Sequence, residues 1–142
     1  MNTKTLRTLS SVFLFIFLSN ELLADQGISS DQILIGMHTD ISGPASMIGK
    51  QSVDGANMRF SEFNENGGAY GRKVKFIVED HQYTVPRAVQ AANKLLRKDK
   101  IAFMMGSLGT PMNNAVMTDQ LAMNVPNLFP LTAARSMFDP FD

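Results

Sequence analysis

The segment GSLGTP at 106–111 joins an apolar run, FMM at 103–105, to a stretch of helical character, PMNNAVMTDQLAM. Two glycines beside hydroxyl side chains are open to several chemistries. A phosphate-binding P-loop needs a lysine after its second glycine and a Ser or Thr for magnesium, and no lysine stands there. A nucleophile elbow needs G-x-S-x-G, and Ser107 directly follows the first glycine, so it is misplaced. A dinucleotide fingerprint needs G-x-G-x-x-G after the first strand, which MHTDISGPASMIGK at 37–50 lacks. What remains is a helix start. Its first backbone N–H groups have no intrahelical acceptor, and its dipole favours an anion. The glycines allow close approach to the main chain, and the Ser107 and Thr110 hydroxyls add donors. With no cation adjacent, a carboxylate suits these neutral donors as well as a phosphate does. A capped helix whose loop binds nothing is the competing reading.

The other polar candidates are sparse. His38 lies just past the first strand and His81 just past the second, and each is expected to face solvent or pack locally. His38 with Asp40 is a possible acid-base pair, although two residues apart in a loop is a weak signal, and Glu79-Asp80 reads as solvated charge at a strand end. Too few His and carboxylate ligands converge for a metal site. The chain contains no cysteine, which excludes disulfides and thiolate metal sites. No cofactor, no metal and no enzymatic activity are expected. Thirteen basic and thirteen acidic residues give a formal net charge of zero, which argues against a nucleic-acid partner. Ten Met and ten Phe read as core filler.

The elements that must position this loop follow from periodicity. ILIGM at 33–37 reads as a buried strand, followed by a Gly43-Pro44 turn. Val53, Ala56, Phe60 and Phe63 recur at helical steps, and Gly67-Gly68 stop that helix. Gly55 inside it is open to two readings, close backbone packing or simple tolerance at a cost of about 1 kcal/mol relative to Ala. RKVKFIVED at 72–80 is a second strand. Val85, Ala88, Val89, Ala92, Leu95 and Leu96 stripe a second helix, with Arg97, Lys98 and Lys100 at its carboxyl end. IAFMM at 101–105 is a third strand. The third helix has Thr110 as its expected N-cap and Pro111 at its first helical position. VPNLFPL at 125–131 is a fourth strand or extended segment. The alternation β-α-β-α-β-α-β predicts an α/β fold, an open and mostly parallel sheet with helices on both faces. Ligands of such sheets bind at the carboxyl ends of the strands, here the loops 38–48, 106–110 and 130–136.

The first 24 residues stand apart. Lys4 and Arg7 precede the apolar run SVFLFIFLS, and NELLADQG follows. This pattern predicts a signal peptide cleaved after Ala24. The run is about half of the ~20 residues a membrane-spanning helix needs. Removal of Lys4, Arg7 and Glu21 leaves 11 basic and 12 acidic residues. Export, most simply to a bacterial periplasm, is the expected destination.

The segment ILIGMHTDISGPASMIGKQSVDGANMRFSEFNENGGAYGRKVKFIVED, continued by P..AV.AANKL, GSLGTP and VPNLFP, resembles the opening of type 1 periplasmic binding proteins. Within them it is similar to the leucine/isoleucine/valine-binding group, the receptors of branched-chain amino acid ABC transporters. The resemblance covers about residues 31–139 and rests on the order and spacing of the motifs. It implies two α/β lobes joined by a hinge, a ligand in the cleft, and a membrane permease that reads closure. It also implies that Ser107, Leu108, Gly109 and Thr110 hold a ligand carboxylate. Thr132, Ala133 and Ala134 would add contacts from the loop after the fourth strand, and Ala45 to Ile48 would face the ligand side chain. Two positions depart from the group's pattern: Ile48 replaces a common aromatic, and TAAR at 132–135 reverses an alanine-threonine order. The family's mature proteins are more than twice as long, so residues 25–142 are expected to be a truncated N-terminal lobe without the amine side of the cleft. The expected function is extracytoplasmic binding of a branched-chain amino acid or similar small carboxylate for an ABC importer. A sensing receptor of the same fold and a non-functional fragment are the alternatives.

Overall fold

The computed structural model describes residues 26–137; the expected signal peptide lies outside them. Strand β1 (Gln32–Thr39) leads to helix α1 (Ser46–Glu65), β2 (Lys73–Asp80), α2 (Val85–Asn93), β3 (Phe103–Met105), α3 (Thr110–Ala122) and β4 (Asn127–Leu128). Helix α2 runs on into a π-helical turn, Lys94–Lys98. The four strands form one sheet in the order β2-β1-β3-β4, and every pairing is parallel. β1 and β2 pair over their full length, from Gln32↔Lys73 to Thr39↔Asp80.

Alternation along the strands divides the apolar residues between two faces. Leu34, Ile77 and Met104 meet Ala92, Leu95 and Leu96 of the second helix and Val116 of α3, with Ile101 and Val125 closing the cluster. Ile33, Ile35, Val74 and Phe103 face the other way, toward Phe60 and Phe63 of α1, and the Phe60 and Phe76 rings pack at a tilt of 57° with centroids 5.1 Å apart. Helices thus cover both faces, as the alternation predicts. Among the described residues no helix is long and apolar enough to cross a membrane.

The departures from expectation have local causes. α1 begins at Ser46 rather than near residue 51, because Gly49 lets its first turn lie against β1's exit loop. A Cβ at Gly49 would sit 1.8 Å from the Asp40 carbonyl oxygen. At Gly55 nothing lies within 4 Å of a Cβ, so of its two readings simple tolerance holds and close packing does not. β3 is shorter than IAFMM because the Ile101 N–H turns back to the Leu95 carbonyl, although Ala102 N–H still donates to Leu34. α1 ends as expected: Asn66 caps it, Gly67 and Gly68 take φ of 94° and 68°, and Gly68 N–H returns to the Phe63 carbonyl.

Candidate functional site

The loops after β1, β3 and β4 meet at the carboxyl end of the sheet. Gly106 turns the chain out of β3 with φ of 67°. Ser107 N–Cα then runs beside β1: His38 N–H donates to Ser107 Oγ at 3.3 Å, and Leu108 N–H donates to the His38 carbonyl at 3.2 Å. On its other side the loop pairs with the exit of β4. Leu131 N–H donates to the Ser107 carbonyl at 2.9 Å, and Gly109 N–H donates to the Leu131 carbonyl at 3.1 Å. The loop is therefore a parallel extension of the sheet rather than a free cradle.

The cap of α3 differs from expectation. Gly109, not Thr110, is the N-cap, with φ of 99° and ψ of 131°. A side chain rarely adopts that conformation, and a Cβ there would meet Met112 Cε at 2.2 Å. Thr110 is already helical, and its hydroxyl is 2.5 Å from the Thr132 hydroxyl rather than folded back on the helix. Asn113 secures the turn from inside. Its Nδ2 donates to the Ser107 and Gly109 carbonyls at 2.9 and 2.8 Å, a role with no separate sequence signal.

Of the expected ligand-binding residues, the structure joins Ser107, Leu108, Gly109, Thr110 and Thr132 in one hydrogen-bonded unit. Ser107 is fully buried, and Leu108 and Ala134 are nearly so. Two backbone donors expected to point outward, on Leu108 and Gly109, are spent on protein carbonyls. The Thr110 and Met112 N–H groups have no acceptor within the helix, and Thr110 itself carries one of the paired hydroxyls. Ala134 N–H donates to Thr132 Oγ1 at 3.2 Å, and Ala133 is exposed. Ile48 belongs to a different element, the first turn of α1, where it is 47% exposed.

Asp40, paired with His38 in the sequence, and Glu79-Asp80, expected as solvated charge, all prove to be structural. Asp40 is fully buried and shapes the loop after β1. Its carboxylate accepts the Gly43 N–H at 2.5 Å and the Ala45 N–H at 2.7 Å. Asp80 accepts from Ser42 Oγ at 2.5 Å and from the Ile41 and Gln82 N–H groups. Burial works to raise its pKa, but these bonds hold it below the ordinary carboxylate value. Glu79 pairs with Lys94 at 2.5 Å, and Lys94 also reaches Asp99 at 2.9 Å. Bonds to Asp99 and then Glu79 raise the lysine pKa.

Of the two expected alternatives, facing solvent or packing locally, both histidines take the second and are fully buried. Their rings lie 5.5 Å apart at 53°, under the loop that carries Ser107. Neither ring nitrogen of His38 has a hydrogen-bond partner among the described residues. Burial, aided by His81, lowers its pKa to about 3, so it is neutral. His81 is lowered by burial, against the opposing pull of the Leu108 carbonyl, Asp40 and Asp80. The sequence gives no sign of this burial, because it depends on the loop beyond β3 folding back over the ends of β1 and β2.

The arrangement offers neutral donors at a helix start, with apolar side chains around it. Ile48, Tyr83, Phe129 and Leu131 are all substantially exposed at this end of the sheet. That combination suits a small anion with an apolar body. A Leu/Ile/Val-binding protein of Rhizobium johnstonii is 32% identical over 102 residues, which cover 72% of this chain and 27% of that protein. A possible leucine/isoleucine/valine-binding protein from Rhodopirellula baltica superposes with a TM-score of 0.72 at 21% identity, covering 83% of this chain and 31% of that one. The substrate-binding protein LivJ of Streptococcus pneumoniae, solved in complex with isoleucine, superposes with a TM-score of 0.67 at 22% identity, covering 71% and 29%. The chain spans less than a third of the length of these proteins. The model of the periplasmic binding protein family matches residues 32–137, and the chain belongs to that family.

Proposed function

We propose that residues 25–142 are the N-terminal lobe of an extracytoplasmic solute-binding protein that delivers a branched-chain amino acid, or a similar small carboxylate, to an ABC permease. The observation that carries this reading is the Thr110–Thr132 hydroxyl pair at the start of α3, where the loops after β3 and β4 meet. The pair's own bond uses one O–H, which leaves the other O–H and the first helix N–H groups as neutral donors for a carboxylate. The relatives named for leucine, isoleucine and valine support the ligand class. Their greater length supports a second lobe that completes the cleft. Residues 1–24, with Lys4 and Arg7 before an apolar run, act as the export signal to the periplasm. In this reading the protein is a binder rather than an enzyme, as the names of its relatives support, and Ser107, misplaced for a nucleophile elbow, is buried against the β1 backbone.

Calorimetric titration with leucine, isoleucine, valine, isovalerate and inorganic phosphate tests this, on the chain and on a protein of its relatives' length that contains it. Leucine, isoleucine or valine binds the longer protein, and Thr132→Val weakens that binding roughly tenfold, the worth of one hydrogen bond to a charged group. Isovalerate lacks the amine and reports how much affinity the carboxylate supplies alone. Phosphate binding in preference to every carboxylate sinks the reading.

A further inference from the structure

Gln82 and Tyr83 both hold left-handed backbone, with φ of 51° and 55°. L residues adopt that conformation in succession only where their surroundings impose it. Here the surroundings are largely His81. Its Nδ1 accepts the Tyr83 N–H at 3.0 Å, and its carbonyl accepts the Thr84 N–H at 2.9 Å and hydroxyl at 3.1 Å. Its Nε2 is 3.1 Å from the Leu108 carbonyl oxygen. A carbonyl oxygen only accepts, so Nε2 carries the hydrogen; an amide N–H only donates, so Nδ1 is bare. One neutral tautomer satisfies both bonds. The turn so formed lays Tyr83 over the helix start. Its ring is 6.3 Å from the His81 ring, and its Cε2 would lie 3.3 Å from a Cβ at Gly109.

We propose that His81 is a positioning residue for the ligand site: neutral, it clamps the 106–109 loop to the 81–84 turn and holds Tyr83 against Gly109, and protonated it releases the turn, so that ligand affinity falls with pH. This rests on the carboxylate-binding function proposed above. The release follows from geometry. A proton on Nδ1 would face the Tyr83 N–H, donor against donor, while the Nε2 bond to Leu108 survives. The groups around the imidazole are few: His38 on β1, Asp40 in the loop after β1, Asp80 at the end of β2, and the phenol of Tyr83. His38 adds no charge while neutral. Asp40 and Asp80 favour the imidazolium, and burial disfavours it more strongly.

The chain has only two histidines, so ring-nitrogen NMR of a histidine-labelled sample is assigned with one variant. The expected result is an Nε2–H tautomer for His81 at pH 8, whose protonation shifts the Tyr83 and Leu108 amide signals together. In His81→Gln, which keeps a donor toward Leu108 and cannot titrate, those signals stay fixed as pH falls. Leucine affinity of the longer protein falls roughly fivefold to tenfold across the His81 titration, about one net hydrogen bond. It is flat in His81→Gln and weakened at all pH values in His81→Phe. An Nδ1–H tautomer overturns the proposal, as does a His81 titration that leaves both amides unmoved, or an equal pH dependence in His81→Gln. Should no amino acid bind at any pH, the carboxylate function fails, while the tautomer and amide shifts still decide whether the clamp exists.

Discussion

At the scale of single residues, burial decides what the polar groups do. Asp40, His38, His81 and Ser107 are all fully buried, and each except His38 has its polar atoms engaged. His38 carries a consequence for stability. Its pKa in the unfolded chain is near the ordinary 6.5, and in the fold it is about 3. Below pH 6.5 the unfolded chain therefore binds a proton at His38 that the folded chain refuses, so the contribution of His38 to stability is full above 6.5 and is lost as pH falls toward 3. The loss is about 1.4 kcal/mol per pH unit over that window. His38→Leu removes the titrating group. The stability difference between wild type and His38→Leu, from urea unfolding at pH 7.5 and pH 4.5, is expected to change by about 2–3 kcal/mol against the wild type at the lower pH. A difference independent of pH would show that His38 titrates normally in the fold. None of this is legible in the sequence. MHTD reads as a strand end entering a loop, and only the return of residues 106–109 over that end seals it from water. The paired threonines are a similar case. Thr110 and Thr132 stand out as hydroxyl residues in loops, but their contact requires β3 and β4 to be neighbours.

At the scale of elements, the strands and helices were readable because each shows its own period, and the boundaries were less so because they depend on partners in other elements. The three helices, four strands and parallel order follow from spacing and punctuation. The start of α1, the cap of α3 and the π-helical turn after α2 do not. Glycine marks the difference, because the same residue type serves unlike ends. Gly55 is exposed in the interior of α1 with open space around it. Gly55→Ala is expected to stabilise the fold by about 0.5–1 kcal/mol, since alanine is the better helix former. Gly49→Ala forces a methyl into the Asp40 carbonyl, and overpacking against backbone costs about 1–3 kcal/mol. Gly109→Ala combines a left-handed φ with a clash at Met112 and is expected to cost a similar amount. Thermal melts of the three variants order them: Gly55→Ala above wild type, the other two several degrees below. A neutral Gly49→Ala would mean that α1's first turn does not rest on the β1 exit loop.

At the scale of the whole molecule, the sheet is unevenly secured. β1 and β2 share eight residue pairs, whereas β3 and β4 share two, extended by a single bridge between Leu108 and Leu131. The main apolar cluster lies under β1 to β3, with Val125 at its margin before β4. Local opening follows the sparsely bonded parts of a structure, so the β4 side opens before the β1–β2 side. The proposed site straddles that gradient: Ser107 and Leu108 are tied to β1, and Thr132 belongs to the loop after β4. A ligand held between Thr110 and Thr132 binds only while the β4 loop is docked, and it stabilises the docked state by mass action. Amide exchange is the measurement. Ile35 and Met37 are expected to exchange only through global unfolding, and Gly106 and Leu131 at least tenfold faster through local opening. For the longer protein, saturating leucine is expected to slow Gly106 and Leu131 more than Ile35 and Met37. Uniform protection across all four amides would show that the sheet opens as one unit, and slowing confined to the β1–β2 side would place the ligand away from Thr132.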